Sequence, residues 1–155
     1  MYQRIGATFS SGKYRSLPFY FMVSYLRRTT DWMEQSKGEF KAASDLFATS
    51  NYAWCCFACH QAAEKALKAI LEYFGSPTIG HNLIALTNEV SKFTTTPSET
   101  EVASRILNRY YIPTRYPNAF PSGAPVHMFN RDDAEEALQH AGKVIELAGK
   151  VTGIT

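Results

Sequence analysis

The sequence predicts an all-α protein: an up-and-down bundle of about five helices, a four-helix core plus a short helix. Three observations lead there. Apolar residues recur at steps of three and four over long stretches, the period of an amphipathic helix. Those stretches stop at Gly, Pro or Ser-Asn punctuation. No segment shows the apolar–polar alternation of a strand.

The first helix is expected from Thr30 or Asp31, either of which can cap it, with Glu34 placed to reach back. Trp32, Ser36, Phe40, Ala43 and Phe47 form its stripe, and it should run to about Thr49. Ser50-Asn51 then punctuates the chain. Tyr52 to Phe74 contains no Gly or Pro and carries a broad face of Ala53, Phe57, Ala63, Leu67, Ile70, Leu71 and Phe74. Alanine is frequent here (53, 58, 62, 63, 66 and 69), which favours the helix and lets a neighbour approach closely. Gly75 should stop it, with Ser76-Pro77 behind.

A short third helix fits Asn82 to Lys92, with Leu83, Leu86 and Val90 inward. Ser98 is expected to cap a fourth, with Val102, Ile106, Leu107 and Tyr110 along it, ending near Pro113. Residues 113–129 hold Pro113, Pro117, Pro121, Gly123 and Pro125 and read as a long irregular loop, a feature often functional in compact domains. Asn130 opens the last helix. Asp132, Asp133, Glu135 and Glu136 crowd its first turns and Lys143 and Lys150 lie later, which matches the helix dipole.

Length and composition agree with one globular domain: 155 residues, 45% apolar and 19% charged. No apolar run approaches the ~18 residues of a membrane-spanning helix. The net charge of +2 is unevenly spread. Residues 1–28 carry Arg4, Lys13, Arg15, Arg27 and Arg28 and no acid, a charge of +5; the remainder carries −3. A domain-wide basic surface of the nucleic-acid type is therefore not indicated. Residues 1–21 show no helical period and are expected to be a flexible extension; a docked arm or an export signal are the alternatives. Leu17 to Val23 is a short apolar run, with its basic residues far upstream and no A-x-A-like site after it. The domain proper is expected over 22–151, with a tail at 152–155.

Several constellations could carry chemistry. Cys55, Cys56, Cys59 and His60 invite a metal reading, but residues 55 and 56 point about 100° apart on a helix, and a closed site needs about four convergent ligands. Buried small thiols in an Ala-rich helix are the favoured reading, and no metal or cofactor is expected. The odd cysteine count and the helical spacings allow no relaxed disulfide, which points to a reducing, cytoplasmic setting. Gln61, Glu64, Lys65 and Lys68 read as a polar helix face with a Glu64–Lys68 i,i+4 pair. A solvated face is favoured; the alternative is the edge of a site with Lys65 or Lys68 toward an anion. Arg109, Tyr110, Tyr111, Arg115 and Tyr116 are the densest basic–aromatic cluster. Arg offers planar donors to phosphate and Tyr can stack on a base; aromatic packing of the loop is the equal alternative. His81 follows Gly80 as a turn or cap residue, and His127 lies in the long loop. No Ser/His/Asp order, P-loop or dinucleotide fingerprint is present.

Four stretches together carry a family resemblance. They are Asp31-Trp-Met-Glu-Gln-Ser-Lys37; Tyr52-Ala-Trp-Cys-Cys-Phe-Ala-Cys-His-Gln-Ala-Ala-Glu-Lys-Ala-Leu-Lys-Ala69; Gly80-His-Asn-Leu83; and Leu107-Asn-Arg-Tyr-Tyr-Ile-Pro-Thr-Arg-Tyr-Pro-Asn118, followed by Asp133-Ala-Glu-Glu-Ala137. In this order the chain resembles the HEPN domain family (higher eukaryotes and prokaryotes nucleotide-binding) over about 22–151. The resemblance implies a helical bundle that forms homodimers and pairs with a minimal nucleotidyltransferase in a two-gene, toxin–antitoxin-like module. Several branches of that family are metal-independent endoribonucleases with an Arg, four to six residues, then a His. There the His handles protons and the Arg stabilises phosphate charge.

No Arg of this chain stands at that spacing from any His, which weighs against an enzyme. The expectation is a nucleotide- or RNA-binding homodimer with Arg109, Arg115, Tyr116, Lys65, Lys68 and His81 as the binding groups. A divergent ribonuclease using Arg115 with His127 or His81, and a purely structural dimerisation scaffold, are the alternatives.

Overall fold

The structure, a computed structural model, describes residues 19–155. Five α-helices follow one another: α1 Phe19–Ala48, α2 Tyr52–Tyr73, α3 Leu83–Val90, α4 Ser98–Leu107 and α5 Arg131–Thr152. Single 3₁₀ turns occupy Asn108–Tyr110, Pro117–Ala119 and Pro125–His127. Among the described residues there is no strand, and no helix is long and apolar enough to cross a membrane. The expected all-α bundle is what forms.

Helix α2 is the centre. It packs against α1 and α5 over long faces and also touches α3 and α4. Fourteen of its residues are buried, from Ala53 through Leu71. The alanines make this geometry available: Ala62, Ala63, Ala66 and Ala69 are fully buried, and Ala134, Ala137, Ala141 and Ala148 of α5 are too. Small side chains on facing helices bring the axes close. Ser36 of α1 donates its hydroxyl to the Ala62 carbonyl at 2.7 Å, a buried bond that ties α1 to the α2 backbone. Cys55, Cys56 and Cys59 are fully buried free thiols within this core.

Caps set the boundaries. Gly75 takes φ +68°, with its N–H on Glu72 and the Ser76 N–H on Leu71, the hydrogen-bond pair that closes a helix through a left-handed residue. Asn82 caps α3 by accepting from Ile84 and Ala85. Asn130 and Asp133 form a reciprocal capping box on α5. At α4 the cap position falls to Pro97, and Ser98 is the first helical residue rather than the cap.

The clearest departure is the start of α1. It begins at Phe19, well upstream of Thr30–Asp31. Half-buried Met22 and Tyr25 and buried Thr29 continue the three-and-four stripe backwards from Trp32, and no Gly or Pro interrupts Phe19–Lys37. Thr30 consequently lies mid-helix, its hydroxyl bonded back to the Leu26 carbonyl. The extension expected for 1–21 lies, as far as residue 18, outside the described residues. The irregular segment 113–129 is pinned to the bundle by buried Pro125 and by Phe129, whose ring meets Tyr110 and Phe120 edge-on.

Candidate functional site

The polar residues of α2 do not all face solvent. Glu64 is 2% exposed and Lys68 9%, so the expectation of a solvated face is wrong for both. The turn after α2 and the segment after α4 fold over that side of the helix, a long-range event that a heptad of sequence cannot announce.

Glu64 divides its carboxylate between two donors. Lys68 Nζ lies 2.8 Å from Oε1, and His81 Nδ1 lies 2.9 Å from Oε2. Lys68 also sits 5.5 Å from the centre of the Trp32 ring. Burial alone pushes the Glu64 carboxyl up. The hydrogen bonds from Lys68 and His81 and the charges of Lys68 and Lys65 outweigh it, so the group stays below its ordinary value and ionised.

His81 is delivered by the turn between α2 and α3. Gly80 there takes φ +104°, a conformation that disfavours any side chain. The imidazole is held at Nδ1 by Glu64 while half of its side chain stays exposed. His60, fully buried, supports the same turn. Its Nε2 lies 3.0 Å from the His81 carbonyl, so it donates there, and its Nδ1 accepts from Gln61 Nε2 at 3.1 Å. Burial pushes His60 down to about 4, and both ring nitrogens are committed to the neutral tautomer.

Tyr111 is the hub. Its ring stacks on His81 at 4.7 Å and 16°, and lies 5.1 Å from the His60 ring and 6.4 Å from that of Phe57. One turn later the Arg115 guanidinium sits 4.2 Å from the Phe57 ring, 4.7 Å from Tyr111 and 5.0 Å from Tyr116. Arg115 Nε donates to the Tyr111 carbonyl at 2.9 Å, which fixes the guanidinium against the rings. Among the described residues no carboxylate pairs with Arg115. The half-buried guanidinium thus keeps its charge available.

The sequence-derived candidates separate into two groups. Arg115, Tyr116, His81 and Lys68 share this cluster. Lys65 turns toward α1, bonded to Gln61 at 2.8 Å and Glu39 at 3.1 Å. Arg109 is exposed on the first 3₁₀ turn, and His127 is exposed on the third; neither bonds to the cluster. Sequence reasoning missed Glu64 as the bridge and Tyr111 as the hub. The one signal for them was that an aromatic–basic cluster, an ionisable helix face and Gly80-His81-Asn82 occur in one short chain.

The fold and the cluster define a class: a five-helix bundle with a charged, aromatic-lined site on the flank of its central helix. The HEPN domain model matches residues 29–151, and the chain belongs to the HEPN domain family. It is similar to the crystal structure of TT1696 from Thermus thermophilus, with 36% identity, 80% of this chain and 98% of that one covered, and a TM-score of 0.78. ST0689, an archaeal HEPN homologue, gives 27% identity, coverage of 79% and 97%, and a TM-score of 0.68. An HEPN domain protein from Thermotoga maritima gives 26%, 81% and 99%, and 0.66. Among curated proteins no match is found.

Proposed function

We propose that the protein is a nucleotide- or RNA-binding HEPN module that acts in the cytoplasm as a homodimer. We further propose that it works beside a minimal nucleotidyltransferase in a two-gene, toxin–antitoxin-like system. The observation that carries the binding reading is Arg115. It is a half-buried guanidinium caged by Phe57, Tyr111 and Tyr116, without a carboxylate partner among the described residues. A desolvated, oriented guanidinium is a phosphate receptor, and Tyr116, 46% exposed beside it, is available for base stacking. The dimer and the partner rest on family resemblance.

Titration with nucleoside monophosphates and short RNA, read by intrinsic fluorescence and melting temperature, tests the binding reading. Arg115→Ala should weaken binding by about tenfold or more, the scale of a lost charge-assisted bond. No response to any nucleotide or RNA refutes the reading. Light scattering tests the dimer, and co-purification of a minimal nucleotidyltransferase from the native host tests the pair.

One arrangement favours a second reading, a divergent metal-independent endoribonuclease. Glu64 holds His81 Nδ1 and leaves Nε2 free, the orientation of an imidazole base, and His81 and Arg115 both lean on Tyr111. His81, rather than His127, then takes the 2′-hydroxyl proton. Cleavage that survives EDTA and disappears in His81→Ala would establish it; cleavage retained in that variant would remove it.

A further inference from the structure

Next to Arg115 lies an open cleft of about 360 Å³ lined by His81, Asn82, Asn108, Tyr111, Ile112 and Pro113, at the lower end of the usual range for small-ligand sites. Its polar groups have a fixed hydrogen-bonding sense. Asn108 Oδ1 accepts from the Leu83 backbone N–H at 2.8 Å. Asn82 Oδ1 accepts from Ile84 and Ala85 at 3.0 and 3.1 Å. A carboxamide whose oxygen is committed in this way has its NH₂ left to offer. His81 is the converse: with Nδ1–H given to Glu64, Nε2 is the ring nitrogen left for a ligand, an acceptor in that tautomer. Asn82, Asn108 and His81 therefore bring two donors and one acceptor to this lining, beside Tyr111 and the apolar Ile112 and Pro113.

We infer that this cleft selects a pyrimidine base, with the phosphate of the same nucleotide on Arg115. The inference rests on the nucleotide-binding reading and assigns its base specificity. Uracil offers two carbonyl acceptors and one N–H donor on its pairing edge. Cytosine offers two acceptors and one amino group. Both complement the cleft. Guanine offers one acceptor and two donors on that edge, and adenine one of each, so a purine leaves cleft groups unpaired, which costs affinity. Tyr111 links the two halves of the site: its ring lines the cleft, and the Arg115 guanidinium is 4.7 Å from that ring.

The test is calorimetric titration of the full-length protein with the 5′-monophosphates of uridine, cytidine, adenosine and guanosine. The wild type should bind both pyrimidine nucleotides about tenfold tighter than either purine nucleotide, the scale of one satisfied base contact. Asn108→Asp and, separately, Asn82→Asp keep the capping oxygen and turn one donor into an acceptor. Each should collapse the pyrimidine-to-guanosine ratio toward one, with the melting temperature held within a few degrees. The ratio cancels the uniform repulsion of phosphate by the new carboxylate, and either variant suffices if the other fails to fold. Equal binding of all four nucleotides, or a pyrimidine preference that survives both substitutions, overturns the assignment and leaves nucleotide binding standing. No binding of any of the four overturns the assignment, and if short RNA does not bind either, the nucleotide-binding reading falls with it.

Discussion

Acid should first weaken this fold through His60. The imidazole is fully buried, donates to the His81 carbonyl at 3.0 Å and accepts from Gln61. Burial drives it down to about 4 from an ordinary 6.5, against the opposing charge of Glu64. A group whose folded value is depressed supports the fold above its unfolded value, and that support is lost as the pH falls toward the folded value. The window is therefore pH 6.5 down to about 4. At 1.36 kcal/mol per unit, the loss across it is about 3 kcal/mol. Urea denaturation followed by far-UV circular dichroism at about pH 7, 5.5 and 4 reads it directly. His60→Gln, which cannot charge, starts less stable but should lose markedly less over the same window. Glu64 acts lower. Its carboxyl is held below its usual value, so its contribution disappears only below about pH 4.3. A wild-type stability that is flat across the window, or an unchanged slope in the variant, refutes the reasoning.

Two further outcomes follow from the core. Cys59 hydrogen-bonds to Cys55, which pushes Cys59 up and Cys55 down, and burial pushes Cys56 and Cys59 up as well. A colorimetric disulfide reagent should find no reactive thiol in the native protein and all three in denaturant; rapid native labelling would contradict their burial. Ser36→Ala removes the 2.7 Å bond to Ala62 and should cost about 1 kcal/mol in denaturation, whereas Ser36→Leu should cost more by wedging α1 off α2.

The helices are legible in the sequence because their signals are local. Gly75, Asn82 and Asn130 are caps whose chemistry is complete within a few residues. Alanine repeats on α2 and α5 announce close packing whatever the partner. The start of α1 is not legible: Phe19 to Arg28 offers aromatics of ordinary helix propensity, and because Phe19 and Tyr20 are 76% and 80% exposed, the apolar residues there do not single out the stripe that Met22, Tyr25 and Thr29 continue. The site is half legible. Arg115 and the tyrosines stand out as a cluster, and His81 through the turn it occupies. Glu64 and Lys68 look like a surface pair because burial here is imposed by segments seventeen and more residues away. Asn82 reads as a helix start, and Asn108, which the sequence places within a helix, gives no sign that its side chain bonds the first residue of α3, 25 positions away.

The buried carboxylate of Glu64 also limits how the chain can change in length. One residue added to α2 after Glu64 would rotate the end of the helix, and with it the turn that carries His81, by about 100° relative to the Glu64 side chain, separating the two. The same addition in the stretch between α3 and α4 would disturb no hydrogen bond of the site. Insertions and deletions should therefore collect at 91–97 and within 118–124, and the interval from Glu64 to His81 should keep a constant length.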